Sequence, residues 1–309
     1  MRTLLTGATG FLGTALLRKL TGPVVALVRD HCPALASECQ PAPLPAATYC
    51  TGDVVGLSNI ERIIAEYEIE AIIHLAGQTE VRTSATDPLG TWETNVRGTW
   101  VVLEAARRQG VARVLLASSD KAYGRTPPPY REDDPLRTDR PYDTSKACAD
   151  LIARTYADTW GMSVAVTRCV NLYGPGCLTR STLIPNTIRR VLRGEAPFIR
   201  NGGQMQRDWL YIDDAVTAYQ SLLASDYVGA MNFGGGAGVS VRTIVDLILE
   251  LMDSPLIPTD EPDHLGEITH QWSDTTCARE TLGWAPAVSL REGLIRTIAW
   301  YREHYQPCR

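Results

Sequence analysis

A short apolar run, Thr3–Leu5, passes directly into Thr6-Gly7-Ala8-Thr9-Gly10-Phe11-Leu12-Gly13 and then into a helical pattern near Leu12–Leu20. Three glycines at this spacing between a strand and a helix do three different things. Gly7 allows a tight turn, Gly10 lets a pyrophosphate approach the backbone, and Gly13 lets the helix pack close to the sheet. The helix start adds free backbone N–H groups and the positive end of its dipole. A turn of this kind needs a parallel sheet beneath it. The following residues supply one, with apolar runs at Val24–Val28, Ala47–Cys50, Ala71–Leu75, Val114–Ala117 and Ser163–Thr167. Helical patterns near Leu57–Tyr67, Thr91–Arg108 and Tyr142–Trp160 separate them. Strand–helix alternation is the pattern of βαβ units, so the expected fold is α/β with a doubly wound parallel sheet that binds a dinucleotide.

After Val170 the alternation loosens. A helix is expected near Leu183–Arg193, a strand–helix pair at Trp209–Leu223, a turn at Gly234-Gly235-Gly236, and helices at Val241–Leu251 and Leu290–His304. These segments read as a smaller C-terminal substrate-binding lobe interleaved with returning pieces of the first. The division is 1–170 plus segments near 208–238 for the dinucleotide-binding domain, and 171–207 with 239–309 for the lobe. Cys32–Pro45, with four prolines, reads as a surface loop.

The net charge of −5 gives no basic footprint for nucleic acid, and no apolar run approaches the roughly 20 residues that span a bilayer. The N-terminal segment reaches glycine too early for a signal peptide. Eight cysteines form no C-x-x-C pair and have no partnered histidine spacing, so no metal site is expected. The expectation is a cytoplasmic enzyme with no nucleic-acid or membrane partner.

The end of the second strand should read the adenosine ribose, where an acid selects NAD and an arginine accommodates a 2′-phosphate. Val28-Arg29-Asp30 offers both Arg29 and Asp30. NAD is the expected cofactor and NADP stays open. Asp53 and Val54 follow the third strand as an adenine contact, with a solvated turn as the alternative for Asp53. Leu75-Ala76-Gly77 ends the fourth strand with small residues that let a cofactor pass, and His74 beside them reads as a packed core residue.

Tyr142 and Lys146 lie one helical turn apart on one face. An ammonium there can lower the phenol's pKa, and Ser119 at the end of a strand can bind the same substrate oxygen. That combination suits removing a proton from an alcohol while a hydride leaves its carbon.

Together these motifs resemble the extended short-chain dehydrogenase/reductase family, in particular its nucleotide-sugar epimerases and dehydratases. The resemblance also runs through Thr94-Asn95-Val96-Arg97-Gly98-Thr99, Asn171-Leu172-Tyr173-Gly174-Pro175-Gly176, Arg207-Asp208-Trp209-Leu210-Tyr211-Ile212-Asp213-Asp214 and Leu282-Gly283-Trp284. It implies a Rossmann-type fold and a nucleotide-diphosphate sugar as substrate. It also implies a homodimer in which the helices around Thr91–Arg108 and Tyr142–Trp160 form a four-helix bundle. Tyr142 would act as base toward a sugar hydroxyl, Lys146 would bind the nicotinamide ribose, and Ser119 would bind the sugar oxygen. The resemblance places Gly7, Thr9, Gly10, Phe11, Leu12, Gly13, Leu75, Ala76, Gly77 and Asn95 on the cofactor, and Thr79, Glu80, Leu183 and Ile184 on the substrate. Asn171 would lie near the substrate phosphates and Arg207 would grip them, unless Arg207 pairs with Asp208 instead.

Every active relative oxidises C4 of the sugar. A 4-epimerase then returns the hydride to the other face, whereas a 4,6-dehydratase must also remove the C5 proton and protonate O6. The residues after Ser119 are therefore decisive. Asp120-Lys121 resembles the pair in CDP-glucose 4,6-dehydratases, where simple epimerases carry small uncharged residues. The leading expectation is a 4,6-dehydratase with Asp120 as acid to O6 and Lys121 as base at C5 or as the group that orients it. The alternatives are that Asp120 and Lys121 merely support each other, that the enzyme is a 4-epimerase, or that it is a cofactor-binding scaffold. Two departures weigh against a dehydratase. The chain has the length of compact epimerases, and His264–Trp272 lacks an arginine for the diphosphate, leaving that role to His270 or Arg200.

Overall fold

Consecutive residues of the central strands are apolar because both faces of the sheet are covered. The computed structural model describes residues 1–29, 45–261 and 268–306. Its main sheet contains β1 (Thr3–Thr6), β2 (Val24–Val28), β3 (Thr48–Thr51), β4 (Ala71–His74), β5 (Arg113–Ala117), β6 (Val164–Cys169) and β7 (Gly229–Phe233). All pairings are parallel, in the order β3-β2-β1-β4-β5-β6-β7. Leu4, Ile72, Val114 and Val166 pack on one face against residues of α1 (Leu57–Glu66), α2 (Gly98–Arg108) and α3 (Pro141–Trp160). Their neighbours Leu5, Ile73, Leu115 and Ala165 point the other way, onto Leu16 of the Phe11–Leu17 helix and onto Val216 and Tyr219 of the Ile212–Leu223 helix. The order reverses between β1 and β4, and such a switch point opens a crevice at the carboxyl ends of the strands.

A third cluster lies outside the sheet. Ile184 and Ile188, Ile244 and Ile248, and Leu294 and Ile298 pack together from the helices Leu183–Leu192, Val241–Leu251 and Leu290–His304. The last two helices have the bounds read from sequence.

Several features differ from the sequence expectation, a short helix at Val81–Thr86 among them. Strand β7, Gly-Ala-Met-Asn-Phe, carries too weak a pattern to be read alone and is defined by pairing with β6. The expected Thr91–Arg108 helix is preceded by Pro88–Trp92 and interrupted by one wide turn at Glu93–Arg97. A short helix at Thr276–Leu282 was also not expected. Most of the expected Cys32–Pro45 loop lies outside the described residues.

The helix carrying Tyr142 and Lys146 is fixed to β6 by a fully buried ion pair. Arg168 Nε and Nη2 donate to Asp150 at 2.8 and 2.9 Å, and Nη1 donates to the Tyr123 hydroxyl at 2.8 Å and the Glu132 carbonyl at 2.9 Å. Both charged side chains are fully buried. Removing one partner of such a pair strands the other charge in a low-dielectric interior. Asp150→Ala is expected to lower unfolding free energy by roughly 3–5 kcal/mol, measured by urea denaturation. A loss below about 1 kcal/mol would show that water or a neighbour compensates Arg168.

Candidate active site

Gly7 holds φ +69°, and a Cβ there would sit 2.7 Å from the Ala76 nitrogen, so the turn after β1 touches the turn after β4. A Cβ on Gly13 would lie 2.2 Å from the Gly7 carbonyl oxygen and 2.8 Å from the Ala8 Cα. Thr6 Oγ1 accepts from the Ala76 N–H at 3.1 Å and lies 2.7 Å from His74 Nδ1. Burial, with the Lys146 charge added, pushes His74 down to about 3, so it is a neutral core strut, as its sequence context suggested.

These turns form one end of a cavity of about 1370 Å³. Of the residues expected on a cofactor, Gly7, Thr9, Gly10, Phe11, Leu12, Gly13, Arg29, Asp53, Val54, Leu75, Ala76, Gly77, Tyr142 and Lys146 line it. Asp30 lies outside the described residues. Asn95 is not on the wall. Its amide nitrogen donates to the Gln78 carbonyl and Ser145 Oγ, both at 2.9 Å, and its Oδ1 accepts from the Gln78 N–H at 2.7 Å. The wide turn thus spends Asn95 on tying the β4 loop to α3 instead of on a ligand.

The same cavity continues past Thr79, Glu80, Ser119, Asp120, Lys121, Asn171, Leu183, Ile184, Arg200 and Arg207. His270 does not line it. His270 pairs with Gln206 and Gln271 with Arg207 on adjacent strands. Alternation along a strand then sends Arg207 and Gln271 to the cavity and His270 away from it. Gln271, missed in the sequence, could have been found from that alternation. Arg200 on the wall is the better of the two replacements considered for the missing arginine. The Asp208 carboxylate is taken up by the backbone N–H groups of Trp209, Gly235 and Gly236 at 2.8, 2.8 and 3.1 Å, while Arg207, on the cavity wall, donates through Nη1 to the Gln206 carbonyl at 2.8 Å.

At the junction of the two halves, Ser119 Oγ donates to Asp120 Oδ1 at 2.9 Å and accepts from the Lys121 N–H at 3.2 Å. Lys121 Nζ reaches the Asp120 oxygens at 3.2 and 3.3 Å. The two side chains therefore support each other and also face the cavity. Lys146 Nζ donates to the Ala117 carbonyl at 2.9 Å, and burial lowers its pKa to about 8. Tyr142 departs from the sequence reading. Burial first, then the Asp120 and Asp143 charges, push its phenol above the ordinary value, with Ser119 opposing. Lys146, directed at a carbonyl, is not what governs it. Asp143, also on the wall, was not singled out from sequence. Burial raises it to about 6.

A doubly wound sheet with this cavity at its switch point is the frame of a dinucleotide-dependent enzyme. A model of the NAD dependent epimerase/dehydratase family matches residues 3–234, and the chain belongs to that family. It is 35% identical over 315 residues to a dTDP-glucose 4,6-dehydratase of Streptomyces griseus, covering 97% of this chain and 94% of that one. It is 31% identical to a UDP-glucose 4-epimerase of Mycolicibacterium smegmatis, covering 99% and 100%. Among solved structures, the UDP-glucose 4-epimerase of Thermotoga maritima with UDP-glucose superposes with a TM-score of 0.90 at 28% identity, covering 98% of this chain and 99% of that one. The dTDP-glucose 4,6-dehydratase DesIV of Streptomyces venezuelae, with NAD bound, gives 0.87 at 29%, covering 98% and 97%.

The Gly13 contact makes a direct test. Gly13→Ala is expected to lose roughly 1–3 kcal/mol of stability in urea denaturation, because a methyl cannot fit against backbone that is itself pinned to β4. An unchanged midpoint would mean that the turn can relax.

Proposed function

We propose that the protein is an NAD-dependent nucleotide-sugar 4,6-dehydratase. The observation that carries this reading is the pair Asp120 and Lys121 on the cavity wall beside Ser119 and Tyr142. Elimination across C5–C6 needs ionisable groups beyond the serine, tyrosine and lysine that suffice to oxidise C4. The 35% identity to a 4,6-dehydratase supports it.

The glycine turn, with no room for a Cβ at Gly7 or Gly13, fits a pyrophosphate pressed against backbone, and Arg29, Asp53 and Val54 border the adenosine end. NAD held there would supply the acceptor for the C4 hydride and the hydride later delivered to C6. Tyr142 takes the O4 proton, Ser119 holds that oxygen, and Lys146 binds the ribose. Asp120 gives a proton to O6. Lys121, ion-paired with it, is the C5 base or the group that orients it. Asn171 and Arg207, with Arg200, take the diphosphate at the far end, between Thr79 and Glu80 on one side and Leu183 and Ile184 on the other. This reading divides the chain into a dinucleotide-binding part, 1–170 with segments near 208–238, and a substrate-binding lobe formed by 171–207 and 239–309.

The alternative is a 4-epimerase with the same cofactor, favoured by the 0.90 TM-score to a UDP-glucose 4-epimerase. Product masses from a panel of nucleotide sugars separate the two. Loss of water is expected, and an isobaric product would replace the proposal with epimerisation. Asp120→Asn is expected to oxidise C4 and then stall, and wild-type rates of 6-deoxy-4-keto product would remove Asp120 from the mechanism.

The reading includes a homodimer and a reducing, cytoplasmic setting. Five described cysteines carry free thiols, in keeping with the latter. No helix among the described residues is long and apolar enough to cross a membrane. The dimer is supported by Trp100 on α2 and Leu151 and Trp160 on α3, 44%, 51% and 50% exposed on adjacent helices. Trp100→Glu combined with Leu151→Glu should convert a dimer to a monomer in sedimentation velocity, and a monomeric wild type would end this part of the proposal.

A further inference from the structure

One carboxyl at the reacting end of the cavity has no hydrogen-bond or ion-pair partner among the described residues. Asp143 is 2% exposed, lines the cavity and sits in the first turn of α3 directly after Tyr142. Its carboxylate forms no hydrogen bond or ion pair among the described residues, although charged groups surround it. Lys121, on the turn after β5, and Arg140, just before α3, favour its ionised form, while Asp120 and Asp139 oppose it. The phenols of Tyr142 and Tyr130 sense its charge in turn. A buried carboxyl is ordinarily satisfied by hydrogen bonds. One that instead faces a cavity with both oxygens free is available to a ligand.

We propose that Asp143 is the base that removes the C5 proton, and that the Asp120–Lys121 ion pair serves O6 as its acid; this rests on the 4,6-dehydratase reading. The other two candidates are already engaged. Asp120 accepts from Ser119 Oγ and Lys121 Nζ, and the Lys121 ammonium, so engaged, has no lone pair to accept a proton. Asp143 and Tyr142 share the first turn of α3, and both line the cavity. Burial raises this carboxyl to about 6, which leaves it mostly ionised near neutral pH yet a stronger base than a solvated aspartate.

The step balances as follows. After C4 has become a ketone, the C5–H bond breaks and its proton passes to the Asp143 carboxylate. The electron pair becomes the C5–C6 double bond as the C6–O6 bond breaks, and a proton of the Lys121 ammonium, passed through the Asp120 carboxylate, goes to O6, which leaves as water. The proton on Asp143 exchanges with solvent while the double bond stands, and once C6 has taken back the hydride Asp143 delivers a proton to C5. Asp143 ends as it began, and the proton lost by the Asp120–Lys121 pair is matched by the one Tyr142 gained from O4.

Solvent deuterium reports this base directly. The holoenzyme with NAD and the nucleotide sugar that the wild type dehydrates is run in D₂O, and the label at C5 is read by NMR alongside the ultraviolet absorbance of reduced nicotinamide. Asp143→Asn, an isosteric change, is expected to keep the C4 oxidation burst and NAD affinity. It should lose C5 labelling and lower turnover about 10²–10⁴-fold, with Asp143→Glu recovering part of it. The acid limb of the wild-type kcat profile, rising through about pH 6 as Asp143 ionises, should be absent in Asp143→Asn. Lys121→Met is expected to slow water loss while each product molecule formed still carries the C5 label. The proposal is overturned if Asp143→Asn labels C5 at the wild-type rate, or if Lys121→Met alone abolishes labelling. A wild type that oxidises C4 but never releases water from any nucleotide sugar would sink the dehydratase reading itself, and the base with it. A wild type that releases water while Asp143→Asn behaves normally would sink the base alone.

Discussion

The buried guanidinium of Arg168 is the constraint on which the rest of the site depends. It stands on β6, fully enclosed, and its donors reach α3 through Asp150, the turn after β5 through Tyr123, and the following loop through the Glu132 carbonyl. Tyr123 passes the connection on to Asn232 of β7 at 2.8 Å. Without an equally good set of acceptors, a buried arginine would be prohibitively costly, so these four segments can only come together in one arrangement. That arrangement brings the turn bearing Asp120 and Lys121 against the helix bearing Tyr142, Asp143 and Lys146.

Charge inside this cleft is governed by burial before it is governed by neighbours. Tyr142 and Asp143 are raised, and Lys146 is lowered, chiefly because water is excluded. The pairwise terms then sort the groups. Asp120 has Lys121 and Ser119 at hydrogen-bond distance, whereas Asp143 has only field effects from groups around it. Two carboxyls in one cleft with unlike surroundings are suited to unlike tasks.

Much of the fold was legible because local pattern and tertiary environment agree. The glycine turn is dictated by backbone contacts that any side chain would break, so Gly7 and Gly13 announce it. Leu4-Leu5, Ile72-Ile73 and Val114-Leu115 are doubly apolar because both sheet faces are covered, and that is visible in one dimension. Strand β7 was not, since Gly229–Phe233 gains its identity from its register with β6. His270 and Asn95 failed for a related reason. Motif position gives proximity to a site, while strand alternation and a wide helical turn decide which way a side chain points.

The sequence by itself determined the parallel sheet, the dinucleotide turn and the choice of Ser119, Asp120, Lys121, Tyr142 and Lys146 as candidates. These are set by short-range spacing and by apolar and glycine patterns readable along the chain. Only the tertiary structure decided that Asp143 has no hydrogen-bond partner among the described residues while Asp120 is held by Lys121, and that Lys146 turns to the Ala117 carbonyl. Hydrogen-bond partners and exclusion of water depend on segments far apart in the chain, and those are fixed only when Arg168 has gathered them.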